Sequence, residues 1–138
     1  MAKTRTERKD RTVILTQDAR LPFSKETARR YASRILRELG SKRAGVSILF
    51  LDDKGIRRLN RKFKNRRAAT DVLAFETGDI AISVDTAGKN AKRFGTGISD
   101  ELKLYIIHGI LHLSGYDDTS PGARKKMRKK EKELLDRT

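Results

Sequence analysis

Apolar residues in this chain arrive in short periodic bursts separated by charge, and that spacing restricts the fold more than any other feature. Val46 to Leu51 reads VSILFL, a compact run of the length expected for a buried central strand. Ahead of it, Ala28, Tyr31, Ala32, Ile35, Leu36 and Leu39 recur at three- and four-residue steps. They predict a helix that begins after Ser24 and stops at Gly40. Val13-Ile14-Leu15, between Thr12 and Thr16, predicts a first strand. After VSILFL, Asp52 and Asp53 can cap a helix whose inward stripe is Ile56, Leu59 and Phe63. Residues 71–75 (DVLAF) and 79–84 (DIAISV) flank a turn at Thr77-Gly78 and predict an antiparallel pair.

Residues 85–95, which include Gly88 and Gly95, are ambiguous. Ser99 is the expected cap of a helix carrying Leu102, Tyr105, Ile106, Ile110 and Leu113 and ended by Gly115. Ser120-Pro121 then opens a last helix with Ala123, Met127, Leu134 and Leu135. There is no internal repeat and no linker. The expectation is a single α+β domain over residues 11–138, a mixed sheet of about four strands packed by about five helices. A basic flexible arm, residues 1–10, precedes it.

Charge bears on the partner. The chain has 33 Lys and Arg against 18 Asp and Glu, a formal net charge of +15, and such a field attracts polyanions, RNA or DNA first among them. A membrane surface is disfavoured as the partner: the chain has no Trp, and the apolar stripe of its most basic helix, Ile56, Leu59 and Phe63, is expected to face inward. No apolar run approaches the ~18 residues that would span a bilayer. The N-terminal MAKTRTERKDR has no apolar segment behind it. The chain has no cysteine, which excludes a disulfide framework or thiolate metal cage and suits a cytoplasmic setting. Between Lys54 and Thr70 no acidic residue interrupts Lys54, Arg57, Arg58, Arg61, Lys62, Lys64, Arg66 and Arg67. That stretch reads as a surface for tracking phosphates.

Both histidines lie in one segment, HGILHLSGYDD, residues 108–118. On a helix, i and i+4 share a face, so His108 and His112 can aim two neutral nitrogen lone pairs at one ion. Two histidines scattered at random fall at this spacing in roughly one placement of seventy, so the spacing alone is suggestive rather than decisive. Gly115 lets the chain turn back, and a third ligand is available in Asp117 or Asp118.

This segment resembles the signature H-G-x-L-H-L-x-G-Y-D-H of the YbeY family of metal-dependent endoribonucleases, matching every fixed position but the last. Leu59-Asn60 and the Thr70–Phe75 segment resemble the family's L-N…T-D-V-L-S-F, with Ala74 in place of Ser. Gly78-Asp79-Ile80 resembles its G-D-I, and Met127 with Glu131 the M-x-x-x-E of its last helix. The resemblance implies single-strand-specific RNA cleavage in small-subunit ribosomal RNA maturation and ribosome quality control. It implies one zinc ion as the cofactor, and single-stranded or ribosomal RNA, the small ribosomal subunit and the GTPase Era as partners. His108, His112 and Asp118 are then the metal ligands, Asp118 standing where the family has histidine. The family's arginine near the metal aligns with Lys64, the catalytic cation on this reading, with Arg66 as an alternative. Arg61, Lys62, Arg66 and Arg67 are the RNA-binding residues.

Two other readings remain. A zinc protease of the H-E-x-x-H type needs a glutamate after the first histidine, where this chain has Gly109. A non-catalytic RNA-binding assembly factor would account equally well for the basicity.

Overall fold

The structure, a computed structural model, describes residues 9–63 and 72–138. Most of the N-terminal arm, together with Lys64, Arg66, Arg67 and Asp71, lies outside the described residues. Along the chain run β1 (Val13–Gln17), α1 (Lys25–Glu38), β2 (Ser47–Leu51), α2 (Asp53–Phe63), β3 (Val72–Phe75) and β4 (Asp79–Ser83). Three helices follow: α3 (Val84–Phe94), α4 (Ile98–Leu113) and α5 (Pro121–Arg137). The strands form one mixed sheet of order β1-β2-β4-β3. Strands β1, β2 and β4 are parallel, and β3 pairs antiparallel with β4. A parallel pair needs a crossover, which α1 supplies between β1 and β2. The expected β3–β4 hairpin forms, closed by Gly78 N–H donating to the Phe75 carbonyl at 2.9 Å.

VSILFL reads as continuously apolar because β2 is covered on both faces. Ile48 and Phe50 enter the main core with Ile14, Ile80 and Ile82, under α1, α4 and α5. Leu51 turns to the other face, where Ile56 of α2 covers Leu73 and Ala81. Among the described residues this second layer does not reach β1, whose Val13 and Leu15 are exposed; Leu15 borders a cavity of 690 Å³ also lined by Leu49, Leu59, Phe63 and Phe75.

Two expectations change. Residues 85–95, ambiguous in sequence, form α3, capped by Ser83 Oγ accepting from the Thr86 N–H at 3.2 Å and closed by Gly95. Its inward stripe is Val84, Ala87 and Ala91, side chains too small to make a strong periodic signal, with Gly88 among them. Ser99 is not the cap of α4. Ile98 packs on the main core, so the helix starts two residues earlier, and Gly97 takes the cap position without a side-chain bond.

The first turns of α2 and α3, which follow the two central strands, hold each other. Asp53 accepts from Ser83 Oγ at 2.6 Å, Thr86 Oγ1 at 2.8 Å and Lys89 Nζ at 2.7 Å. Its own backbone N–H donates to Asp85 Oδ2 at 2.9 Å. Burial pushes the Asp53 carboxyl up, but its bonds from Lys89, Ser83 and Thr86 and the lysine charge outweigh burial and hold it at about 2. A carboxyl with a lowered folded value stabilises the fold above its ordinary 3.8, and that contribution disappears as pH falls from there toward 2. Asp53→Asn is expected to cost about 1–2 kcal/mol at neutral pH, read by urea denaturation, and to remove this part of the acid sensitivity.

Candidate metal centre

Helix α4 lies on the sheet at a glycine. A Cβ at Gly109 would stand 2.8 Å from Ile80 Cγ2 and 3.1 Å from its Cδ1, so the helix backbone approaches β4 more closely than any side chain would permit. This seat fixes the rotation of α4, with Ile106, Ile107, Ile110 and Leu111 buried and His108 and His112 on the rim. The helix ends in a Schellman turn. Tyr116 N–H donates to the Leu111 carbonyl at 3.0 Å, and Gly115 N–H to that of His112 at 3.2 Å. Gly115 sits at φ 98, which favours glycine. The turn reverses the chain and returns Asp118 to the histidines.

The three side chains converge. His108 Nε2 and His112 Nε2 are 3.0 Å apart, and Asp118 Oδ2 lies 3.7 Å from the first and 3.8 Å from the second. A tetrahedral ion with bonds of about 2.0–2.2 Å sets its ligand atoms roughly 3.3–3.6 Å from one another, so the triangle is of the right size for a first-row metal. Side-chain exposures of 22%, 29% and 36% leave the centre open to solvent on one side. Asp117, the alternative ligand, turns away: its Oδ1 accepts from Thr119 N–H at 3.2 Å and Thr119 Oγ1 at 3.0 Å.

Behind His108 stands Glu131 of α5, its Oε2 2.6 Å from Nδ1. A carboxylate only accepts, so Nδ1 carries the proton and Nε2 keeps its lone pair for the centre. Met127, one turn earlier on α5 and fully buried, anchors the helix that carries Glu131. Burial, and then the neighbouring His108, lower the His112 pKa against the opposing pull of Asp118, Asp117 and Glu131. The ring is held neutral at physiological pH, the state that a metal requires.

Of the other expected site residues, Arg61 and Lys62 are exposed on the last turn of α2, on the sheet face opposite α4. Lys62 Nζ lies 5.6 Å from the Phe63 ring centroid. Lys64, Arg66 and Arg67 lie outside the described residues. Sequence reasoning gave Glu131 no role beyond a motif match. Helical spacing cannot link residues on different helices, and only the packing of α5 on α4 brings it to His108. Packing likewise brings Arg124, which in sequence is only part of a basic run able to clamp RNA, to the Asp118 carbonyl, to which its Nη1 donates at 3.3 Å.

Fold and donor set together define a class: a small α+β domain with a solvent-open centre of two histidines and a carboxylate, a pattern that metal-dependent hydrolases use. The comparisons make this specific. The family model for Endoribonuclease YbeY matches residues 13–138, and the chain belongs to that family of hydrolases. It is similar to the Endoribonuclease YbeY of Treponema denticola, 38% identical over 120 residues, covering 76% of this chain and 77% of that one. The protein of Syntrophus aciditrophicus is 35% identical over 137 residues, covering 88% and 86%. That of an Anaeromyxobacter strain is 40% identical over 126 residues, 82% of this chain but 66% of the longer relative. A Thermotoga maritima protein solved in solution has a similar fold, with a TM-score of 0.66 at 28% identity over 90% of this chain and 86% of that one.

The seat at Gly109 gives a direct test of how α4 is held. Gly109→Ala is expected to destabilise the protein by about 1–2 kcal/mol in thermal or urea unfolding, overpacking against Ile80 outweighing the gain in helix propensity.

Proposed function

We propose that this protein is a single-strand-specific, metal-dependent endoribonuclease acting in small-subunit ribosomal RNA maturation and ribosome quality control. The observation that carries the reading is the convergence of His108 Nε2, His112 Nε2 and Asp118 Oδ2, with Glu131 bonded behind the first. On this reading the three are the ligands of one zinc ion. Bound there, zinc would supply a Lewis acid for a phosphoryl oxygen and lower the pKa of a water toward ~7.

The chain's own groups do the rest. Glu131 fixes the tautomer of His108, and His112 stays neutral through burial. Asp118 replaces a neutral imidazole with an anion, which offsets part of the ion's charge and should favour a somewhat less acidic water. Lys64 is proposed as the cation set against the non-bridging oxygens of the scissile phosphate, a point charge rather than the bidentate fork of an arginine. Arg61, Lys62, Arg66 and Arg67 are proposed to bind the RNA backbone. Residues 1–10 are proposed as a basic arm adding to the same field, ahead of a single domain over 11–138. The +15 charge supports an RNA substrate. The small ribosomal subunit and the GTPase Era are the proposed partners, in the cytoplasm.

Proteolysis is disfavoured by packing as well as by composition. Position 109 faces Ile80, not the centre, and a glutamate there would collide with β4.

The test is cleavage of single-stranded RNA by metal-reconstituted protein freed of contaminating nuclease. Wild type should cut only with metal. His112→Ala should lose cutting and metal together, and Lys64→Ala should keep metal while losing about tenfold or more in rate. Glu131→Gln is expected to weaken metal affinity about 10–100-fold in a competition titration, with the fold intact by circular dichroism. Tight RNA binding without cutting under any metal would favour a non-catalytic assembly factor.

A further inference from the structure

Helix α5 has seven lysines and arginines between residues 124 and 132, and they are not distributed as a solvated face would need. Glu131, its one carboxylate in that stretch, is committed to His108, and Lys130 pairs with Glu133 at 3.2 Å. Arg124, Arg128 and Lys132 are exposed and have no carboxylate partner among the described residues. Spaced at i, i+4 and i+8, they form one ridge of like charges, an arrangement that works against the helix itself. On α1, by contrast, Arg29 and Arg30 both bond Glu26, and Arg29 also reaches Asp10.

The ridge begins at the metal centre. Arg124 and Arg128 precede Glu131 by seven and three residues, which places them about 20° and 60° around the helix axis from it. They therefore share the flank of α5 that faces His108. Arg124 confirms the placement through its bond to the Asp118 carbonyl at 3.3 Å. From there Arg128 and Lys132 follow at about 6 Å steps along the axis, winding away from the centre.

We propose that Arg124, Arg128 and Lys132 form a phosphate track that holds the RNA strand on one side of the scissile bond, so that α5 both orients a metal ligand through Glu131 and binds substrate through its outer ridge. This rests on the RNA-cleaving reading above. The partner is the single-stranded backbone rather than the bases, because no aromatic side chain occurs on α5 for a base to stack on.

The test uses the whole protein, in chelator so that binding is read without chemistry. Fluorescence anisotropy with labelled single-stranded RNA of about 20 nucleotides, long enough to extend past the centre, would compare two variants of equal charge change. In Arg128→Gln/Lys132→Gln the ridge is cut, while Arg124 is left to keep its bond to the Asp118 loop. In Lys126→Gln/Lys129→Gln the changes lie about 140–160° from Glu131. The ridge variant is expected to bind about tenfold more weakly, and its log–log salt slope to fall by about 1.4, two phosphate contacts at ~0.7 each. The control should change by less than about twofold. Equal weakening in both variants would mean a general electrostatic field and would overturn the track, as would unchanged binding in the ridge variant. Because no metal is present, a failure of the cleavage reading leaves this result standing or falling on its own.

Discussion

The close approach of α4 to β4 at Gly109 is the contact on which the rest of this structure depends. Without a side chain there, the helix backbone settles against Ile80 and its rotation is fixed by the burial of Ile106, Ile107, Ile110 and Leu111. Two histidines one turn apart then have nowhere to point except the rim. The Schellman turn at Gly115 extends the same logic. Once the helix is seated, the reversal of the chain is set by two backbone bonds, and Asp118 arrives within 3.8 Å of both imidazoles.

The centre is thus supported from three directions, each with a different physical source. The sheet seats α4 through packing. The loop carries Asp118 through backbone geometry, with Asp117 occupied by Thr119 and so removed from competition. Helix α5 supplies Glu131, and its depth is set by Met127 and Leu134 in the main core. A carboxylate at 2.6 Å from Nδ1 fixes a tautomer that the two nitrogens facing each other at 3.0 Å would otherwise leave open. Such an arrangement puts most of the cost of organising the ligands into folding rather than into metal binding.

Charge follows the opposite rule. Around Asp53 and at Arg29, cations and carboxylates are paired across separate segments, Lys89 of α3 with Asp53 of α2 and Arg29 of α1 with Asp10. Elsewhere the cations are left outward. Among the described residues, the outer face of α2, with Arg57, Arg58, Arg61 and Lys62, and the ridge of α5 beside the centre present charge without ion-pair partners on the two sides of the sheet. In a family of RNA-cleaving hydrolases, that division separates the charges that hold the fold from those available to a polyanion.

Much of this was legible in the chain itself. The four strands, the caps at Ser24 and Ser120, the antiparallel hairpin and the pairing of His108 with His112 are local consequences of period, turn residues and helical spacing. Helix α3 was not legible, because alanines and a glycine leave little periodic contrast, and the start of α4 was set by where Ile98 meets the core. The sequence by itself determined that two imidazoles would share a helix face with carboxylates close behind. Only the tertiary structure decided that Asp118 rather than Asp117 would face them, that Glu131 would stand behind His108 and that Arg124 would reach the same loop. Spacing along the chain controls what one helix presents, whereas distances between helices and loops are set by packing, which no local pattern encodes.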